Sequence, residues 1–257
     1  MSALTLAARD SSTMVRRQLK RLIRYPSMTV QLIITPVILL LLFVYVFGGT
    51  LGNGLGGGRH VYVNYVVPGI LLMAAATAAT GTAVMVATDM TEGIIARFRT
   101  MRISRASVLT GHVVGSVIQQ LLGMAVLVGI ALAIGFRPNA TFVEWLAAIG
   151  MLTLFVVAIT WLAVALGLKS SSPEAASNAP MPLVVLPFLG SGFVPTDSMP
   201  TAIRWFAEYQ PFTPIMETVR GLLLGTPIGH NAAIATAWCA GIAAVSYLWA
   251  RNTFNKA

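Results

Sequence analysis

Long uncharged runs alternate along this chain with short segments crowded with arginine. Six such runs occur, at 25 to 58, 60 to 88, 106 to 136, 145 to 168, 175 to 196 and 221 to 250. Each can supply the ~20 residues that a helix needs to cross a bilayer. None shows the alternating ~10-residue pattern of a membrane barrel, and a backbone in lipid must satisfy its own hydrogen bonds, so each run is predicted to be helical. The predicted fold is an all-α membrane protein, one transmembrane domain over 1–257, with six transmembrane helices at 28–48, 63–88, 108–134, 144–168, 179–194 and 229–250. Pro36 predicts a kink in the first helix, and Pro180, Pro182 and Pro187 predict a short, irregular fifth.

Composition removes the soluble alternative. Of 257 residues 56% are hydrophobic and only 10% are charged, against roughly 25% charged in an ordinary soluble domain. If the six helices alternate, thirteen of the 17 Lys and Arg fall on one side, leaving Arg59, Arg137, Arg204 and Arg220 on the other. That asymmetry places both termini in the cytoplasm. It also accounts for the net charge of +9 without any nucleic acid as partner. The first apolar run is of full spanning length and follows a basic segment, so it is expected to remain as a helix rather than leave as a signal peptide. Cys239 stands alone, which allows neither an internal disulfide nor a thiolate cluster, and reads as a small core residue.

Between the runs lie three amphipathic segments. Over 10–25, Val15, Leu19, Leu22 and Ile23 share one helical face and Arg17, Lys20, Arg21 and Arg24 the opposite one. Asp10 or Ser11 can cap this helix and Pro26 ends it; it is expected to lie in the headgroup layer, facing anionic lipid or a partner. Over 89–105, Ile94, Phe98 and Met101 share a face flanked by Arg97 and Arg102. A helix lying on lipid would fit, but the apolar anchor with charge-assisted donors beside it fits a partner-docking helix better. The extracellular segment 195–227 pairs Ile203 with Phe206, then Ile215 with Val219 and Leu222. It reads as two short re-entrant helices broken at Pro211 and Pro214, in or dipping into the outer leaflet, with Arg204–Glu208 and Glu217–Arg220 as helix-surface ion pairs.

Polar and small residues inside the runs are the candidates for a pathway. Ala74, Ala78, Gly81 and Met85 form one stripe of the second helix, with Thr77, Thr80 and Thr88 near another; close helix packing accounts for both, with pathway lining as the second reading. Gly111 and Gly115 read as packing positions in the third helix, whereas Gln119 and Gln120 must find partners or line a wet cavity. Candidate chemistry is otherwise thin. The stretch Gly52 to Gly57 spells a dinucleotide fingerprint but follows no strand, and Gly167-Leu-Lys169-Ser170 lacks the glycine before the lysine that a phosphate loop needs. His60 and His230 fall near the outer surface, while His112, Asp89 and Glu92 fall near the inner one, about 30 Å away. No catalytic residue, metal ligand or cofactor site is therefore assigned to this chain.

Three features resemble one family. They are the basic helix before the first span, the loop from Glu92-Gly93 to Ser104-Arg105, and the outer stretch Phe193-Val-Pro195, Met199-Pro200, Pro211-Phe-Thr-Pro214 through Arg220-Gly-Leu-Leu-Leu-Gly225. Together they resemble the membrane subunits of type-2 ATP-binding-cassette (ABC) exporters, most closely the daunorubicin-resistance permeases. One departure is that Arg102 stands about where family members commonly have a proline. The resemblance implies a multi-pass permease of the cytoplasmic membrane that pairs with a second copy or a sister permease. It implies a separate cytosolic ATPase that carries the ATP and Mg. Glu92, Gly93, Ile94, Arg97, Phe98, Met101 and Arg102 would couple to that ATPase, and the helix bearing Arg17, Lys20, Arg21 and Arg24 would touch it as well. Thr77, Thr80, Met85, Gln119 and Gln120 are then the candidates for a path taken outward by an amphipathic drug, lipid or glycolipid-like compound. The alternative is a membrane scaffold or assembly subunit that moves nothing.

Overall fold

The computed structural model describes residues 26–92 and 105–256. The basic helix with Arg17, Lys20, Arg21 and Arg24 lies outside the described residues, and so do Gly93, Ile94, Arg97, Phe98, Met101 and Arg102 of the loop. Every regular element among the described residues is helical. In chain order they are α1 (Pro26–Leu42), a π turn (Phe43–Phe47), α2 (Gly48–Gly54), α3 (Gly58–Thr91), α4 (Arg105–Ala133) and α5 (Phe142–Lys169). Then come α6 (Pro173–Asn178), α7 (Met181–Val185), 3-10 turns at Leu186–Leu189 and Thr196–Ser198, α8 (Thr201–Tyr209), α9 (Phe212–Leu224) and α10 (Asn231–Lys256).

Five stretches are long and apolar enough to cross a membrane: Ile33–Gly54, Gly58–Thr91, Leu109–Ala133, Phe142–Lys169 and Asn231–Phe254. The segment expected as a helix over 179–194 is not among them. A proline has no N–H to give and crowds the carbonyl four residues back, and Pro180, Pro182 and Pro187 divide this stretch into α7, a 3-10 turn and irregular backbone. Proline acts less severely elsewhere. α1 continues unbroken through Pro36, and the irregularity appears as the π turn beyond it. Pro214 sits in the first turn of α9, where its missing N–H has no intrahelical partner to lose, so it does not break the helix as expected.

α3 is the hub. Its 34 residues pack against α1, α2, α4, α5, α6, α7 and α9, and 67% of its apolar stretch is buried, against 17% in α10. Two glycine contacts show how closely the end of α5 and the chain beyond it follow α3. A Cβ on Gly167 would lie 2.5 Å from the Ala83 carbonyl oxygen, and a Cβ on Gly69 would lie 2.5 Å from that of Gly192. Only glycine permits backbones to approach this far. Between Ala83 and Gly69 the α3 axis advances by about 21 Å at ~1.5 Å per residue. The broken segment therefore climbs along α3 from one end towards the other.

The outward faces of the long helices carry exposed apolar side chains. Ile34 and Ile38 of α1, Leu122 and Val126 of α4, Leu146 and Ile149 of α5, and Val245 and Leu248 of α10 are all exposed. Such an apolar belt suits a hydrocarbon solvent and not water. Helix α8 is different: it exposes Trp205 and Tyr209, the side chains enriched where membrane meets water.

Candidate functional site

Polar contacts gather at the two ends of the bundle and at one level between them. At the end near α9, Arg220 is 5% exposed although its charge spacing with Glu217 suggests a surface pair. Burial follows from α9 packing against α3, α5 and α10 rather than lying free in a leaflet. The Arg220 guanidinium donates to the Ser191 carbonyl at 2.7 Å and to the Tyr65 carbonyl at 3.1 Å, and it pairs with Glu217. Its carbon stands 3.9 Å from the centroid of the Tyr65 ring. Tyr65 in turn donates its hydroxyl to the Ser191 carbonyl at 2.8 Å, and Tyr62 donates to that of Phe193 at 3.2 Å. At Ser191 and Phe193 these donors occupy carbonyls that the irregular backbone between the 3-10 turns leaves without helical partners. Gln210 extends the clasp, donating to the Leu186 carbonyl at 3.2 Å and accepting from the Phe212 N–H.

Arg204 keeps the exposed role expected of it. It pairs with Glu208 at 2.6 Å, one turn along α8, and with Asp197 at 2.6 Å. The hydrogen bond to Glu208 and the charge of Asp197 hold its guanidinium above the ordinary arginine range.

At the other end, His112 Nε2 of α4 lies 3.2 Å from Asp89 Oδ2 of α3, and both side chains are buried. This bridge joins the two helices where they lead into the loop that the sequence singles out for coupling. Glu92, the one coupling candidate among the described residues, sits exposed in the turn that ends α3.

Between the ends, Gln120 of α4 is 4% exposed and donates Nε2 to Thr160 Oγ1 of α5 at 3.0 Å. Gln119 is half-buried. Of the pathway candidates on α3, Thr77, Thr80 and Met85 are half-buried, and Thr77 returns its hydroxyl to the Met73 carbonyl at 2.9 Å. Only Gln120 of the five lines the cavity that lies between α1, α3 and α4. Gly81 projects from α3 into open space and Gly111 and Gly115 are buried in α4. His60 and His230 are exposed, and among the described residues no three His, Cys, Asp or Glu cluster closely enough for a metal ion. Cys239 is buried in the core.

Sequence reasoning missed the partners more than the residues. Tyr65, Ser191 and Thr160 carry no charge and belong to no motif, and the contact from Arg220 to Tyr65 spans 155 positions. The available signal was Arg220 itself, a cation between apolar neighbours.

Comparison with known proteins agrees with this architecture. Residues 10–224 match the family described as ABC-2 type transporter. A daunorubicin resistance ABC transporter permease of Streptomyces coeruleorubidus is 27% identical over 86% of this chain and 77% of its own length. A protein of Mycobacterium tuberculosis, named as a probable doxorubicin resistance ABC transporter permease, is 27% identical over 83% of this chain and 78% of its own. The chain belongs to the ABC-2 type transporter family, as a multi-pass permease of the cell membrane similar to permeases named for drug resistance.

Proposed function

We propose that this chain is the membrane half of an ATP-driven exporter and that it moves an amphipathic drug, lipid or glycolipid-like compound outward. The observation that carries the reading is the broken segment between α5 and α8. Non-helical backbone at membrane depth is stable where protein surrounds it, and discontinuous helices are a feature of transport sites, whereas an anchoring scaffold needs only continuous ones. Here the chain from the last turn of α5, through α6, α7 and the 3-10 turn, follows α3 for a distance close to the hydrocarbon thickness, with Gly167 against Ala83 and Ser191 against Tyr65. The chain then crosses the bilayer six times, the fifth time without a continuous helix. α8 and α9 form a re-entrant segment outside, and both termini lie in the cytoplasm on the side that collects the positive charge.

The chain brings no phosphate-binding loop, so the energy comes from a cytosolic ABC ATPase that binds ATP and Mg. The coupling surface is the α3–α4 connection, with Glu92, Gly93, Ile94, Arg97, Phe98, Met101 and Arg102, supported by the basic helix over 10–25. A contact that differs between two ATPase states biases the bundle between inward- and outward-facing forms. A second copy, or a sister permease, completes the pathway along the α3 face that carries Thr77, Thr80, Gly81 and Met85. The test is co-expression with a candidate ABC ATPase and reconstitution in vesicles. ATP-dependent uptake of an anthracycline by the wild type, with ATP hydrolysis no longer stimulated by it after Arg97→Glu and Arg102→Glu, is the expected result. An unchanged stimulated rate contradicts the coupling surface, and absence of any transport in an intact complex contradicts the exporter reading.

A further inference from the structure

Near the middle of α4, the Gln120 amide has one end satisfied and one end bare. The Thr160 hydroxyl donates its proton to the Val156 carbonyl at 2.6 Å, so towards Gln120 it can only accept. That fixes Nε2 on Thr160 and leaves the amide oxygen facing elsewhere. This oxygen, Oε1, is buried and has no hydrogen-bond partner. Gln120 also forms part of the wall of a cavity of about 20 Å³ between α4 and its neighbours α1 and α3, together with Pro36, Ala75, Ala78, Met124 and Leu127. A volume of this size accommodates one oxygen-sized group, since a single water needs roughly 10–15 Å³ by the same measure.

The chemistry of the wall is one-sided. Its side chains other than Gln120 are apolar, and Pro36 has no N–H to offer the Leu32 carbonyl one turn before it. The wall thus offers Oε1 no side-chain donor. Gln120 lies eleven residues from one end of the span Leu109–Ala133 and thirteen from the other, about 16–20 Å along the axis each way. At that depth neither bulk water nor a lipid tail supplies a donor.

We propose that the cavity beside Gln120 is a mid-membrane binding site for a single O–H donor, whose proton goes to Gln120 Oε1 while its apolar attachment lies against Met124 and Leu127. Two sources share that chemistry: a trapped water in the resting protein and a hydroxyl of the transported compound. The second rests on the exporter reading and gives the cargo a defining feature, a hydroxyl carried on an apolar frame. The alanines of α3 are what keep the site open, because any larger side chain at Ala75 or Ala78 would fill it.

The test reads the Gln120 carbonyl itself. Full-length protein carrying carbonyl-labelled glutamine is placed in lipid nanodiscs, and the infrared spectrum of Gln120→Met is subtracted to isolate the Gln120 band. Without additives, a band shifted below the unpaired-carbonyl position and sensitive to D2O identifies a bound water. With 1-dodecanol, a further shift that n-dodecyl methyl ether fails to produce identifies a site for a hydroxyl. In Ala78→Val, which closes the cavity while leaving the Thr160 bond in place, both shifts are expected to vanish. An unpaired band with and without the alcohol, or shifts that persist unchanged in Ala78→Val, overturns the proposal. Because no step of this measurement uses ATP or transport, it can succeed for a chain that exports nothing, and vesicle uptake can succeed for a chain whose Gln120 band never moves.

Discussion

The guanidinium of Arg220 stacks 3.9 Å over the ring of Tyr65 and also donates to the backbone carbonyl of the same residue. One side chain thereby fixes α9 to α3, and its bond to Ser191 draws in the broken segment between them. Arg220→Met keeps the volume and removes the charge and every donor. Glu217 retains partial solvent exposure, so the expected loss is about 2–3 kcal/mol, at or below the range for breaking a buried pair. A drop of about 5–10 °C in the thermal midpoint in nanodiscs is the corresponding shift for a chain of this size. Arg220→Lys, with a compact ammonium that cannot serve two carbonyls and stack at once, should recover only part of it.

Gly69 and Gly81 lie on the same helix and should respond oppositely to one methyl group. At Gly69 the new Cβ meets the Gly192 backbone at 2.5 Å, which no rotamer change can relieve. At Gly81 it meets nothing. Gly69→Ala is expected to abolish a monodisperse peak after detergent extraction, and Gly81→Ala to leave the protein at least as stable, since alanine favours helix by about 1 kcal/mol. Gly81→Leu separates folding from assembly: an intact protomer that no longer pairs or transports supports the α3 face as the seam between permeases, and an intact, transporting pair contradicts it.

The His112–Asp89 bridge clamps α3 and α4 at the ends that lead into the connection between them. Replacing His112 with alanine removes a hydrogen bond to a buried carboxylate, a contact worth roughly 1.5–3 kcal/mol. Local opening there should rise by on the order of tenfold or more, read as faster amide exchange across 86–91 and 109–114. Exchange at the Tyr65–Arg220 end should stay as it was. A uniform rise at both ends would mean that the bridge supports the whole bundle and not the α3–α4 connection in particular.

Much of this architecture was legible because lipid leaves the backbone so few choices. Uncharged runs of spanning length had to be helices: α3, α4 and α5 match their runs within three residues, the first run holds α1, the π turn and α2, and α10 starts ten residues into the last. The prolines at 180, 182 and 187 announced an irregular stretch, and the structure places the break there. Pro214 misled because a proline in a first turn and a proline that breaks a helix have the same letters around them. The ends of the bundle were less legible. Glu217 and Arg220 have the spacing of a surface pair whether α9 lies on lipid or inside the protein, and only packing against α3 and α5 decides between them. Gln120 was recognisable as a polar group in need of a partner, but Thr160, forty positions away, was not recognisable as that partner.

If the broken segment crosses the bilayer as proposed, five long helices give six crossings. In a Cys239→Ala background, single cysteines at Arg204, Thr226 and Lys169 are exposed to a membrane-impermeant maleimide on intact cells. Positions 204 and 226 are expected to label from outside, and position 169 only after the membrane is opened. If position 204 reacts only in opened cells, the segment between α5 and α8 does not cross, and the chain spans the bilayer five times and not six.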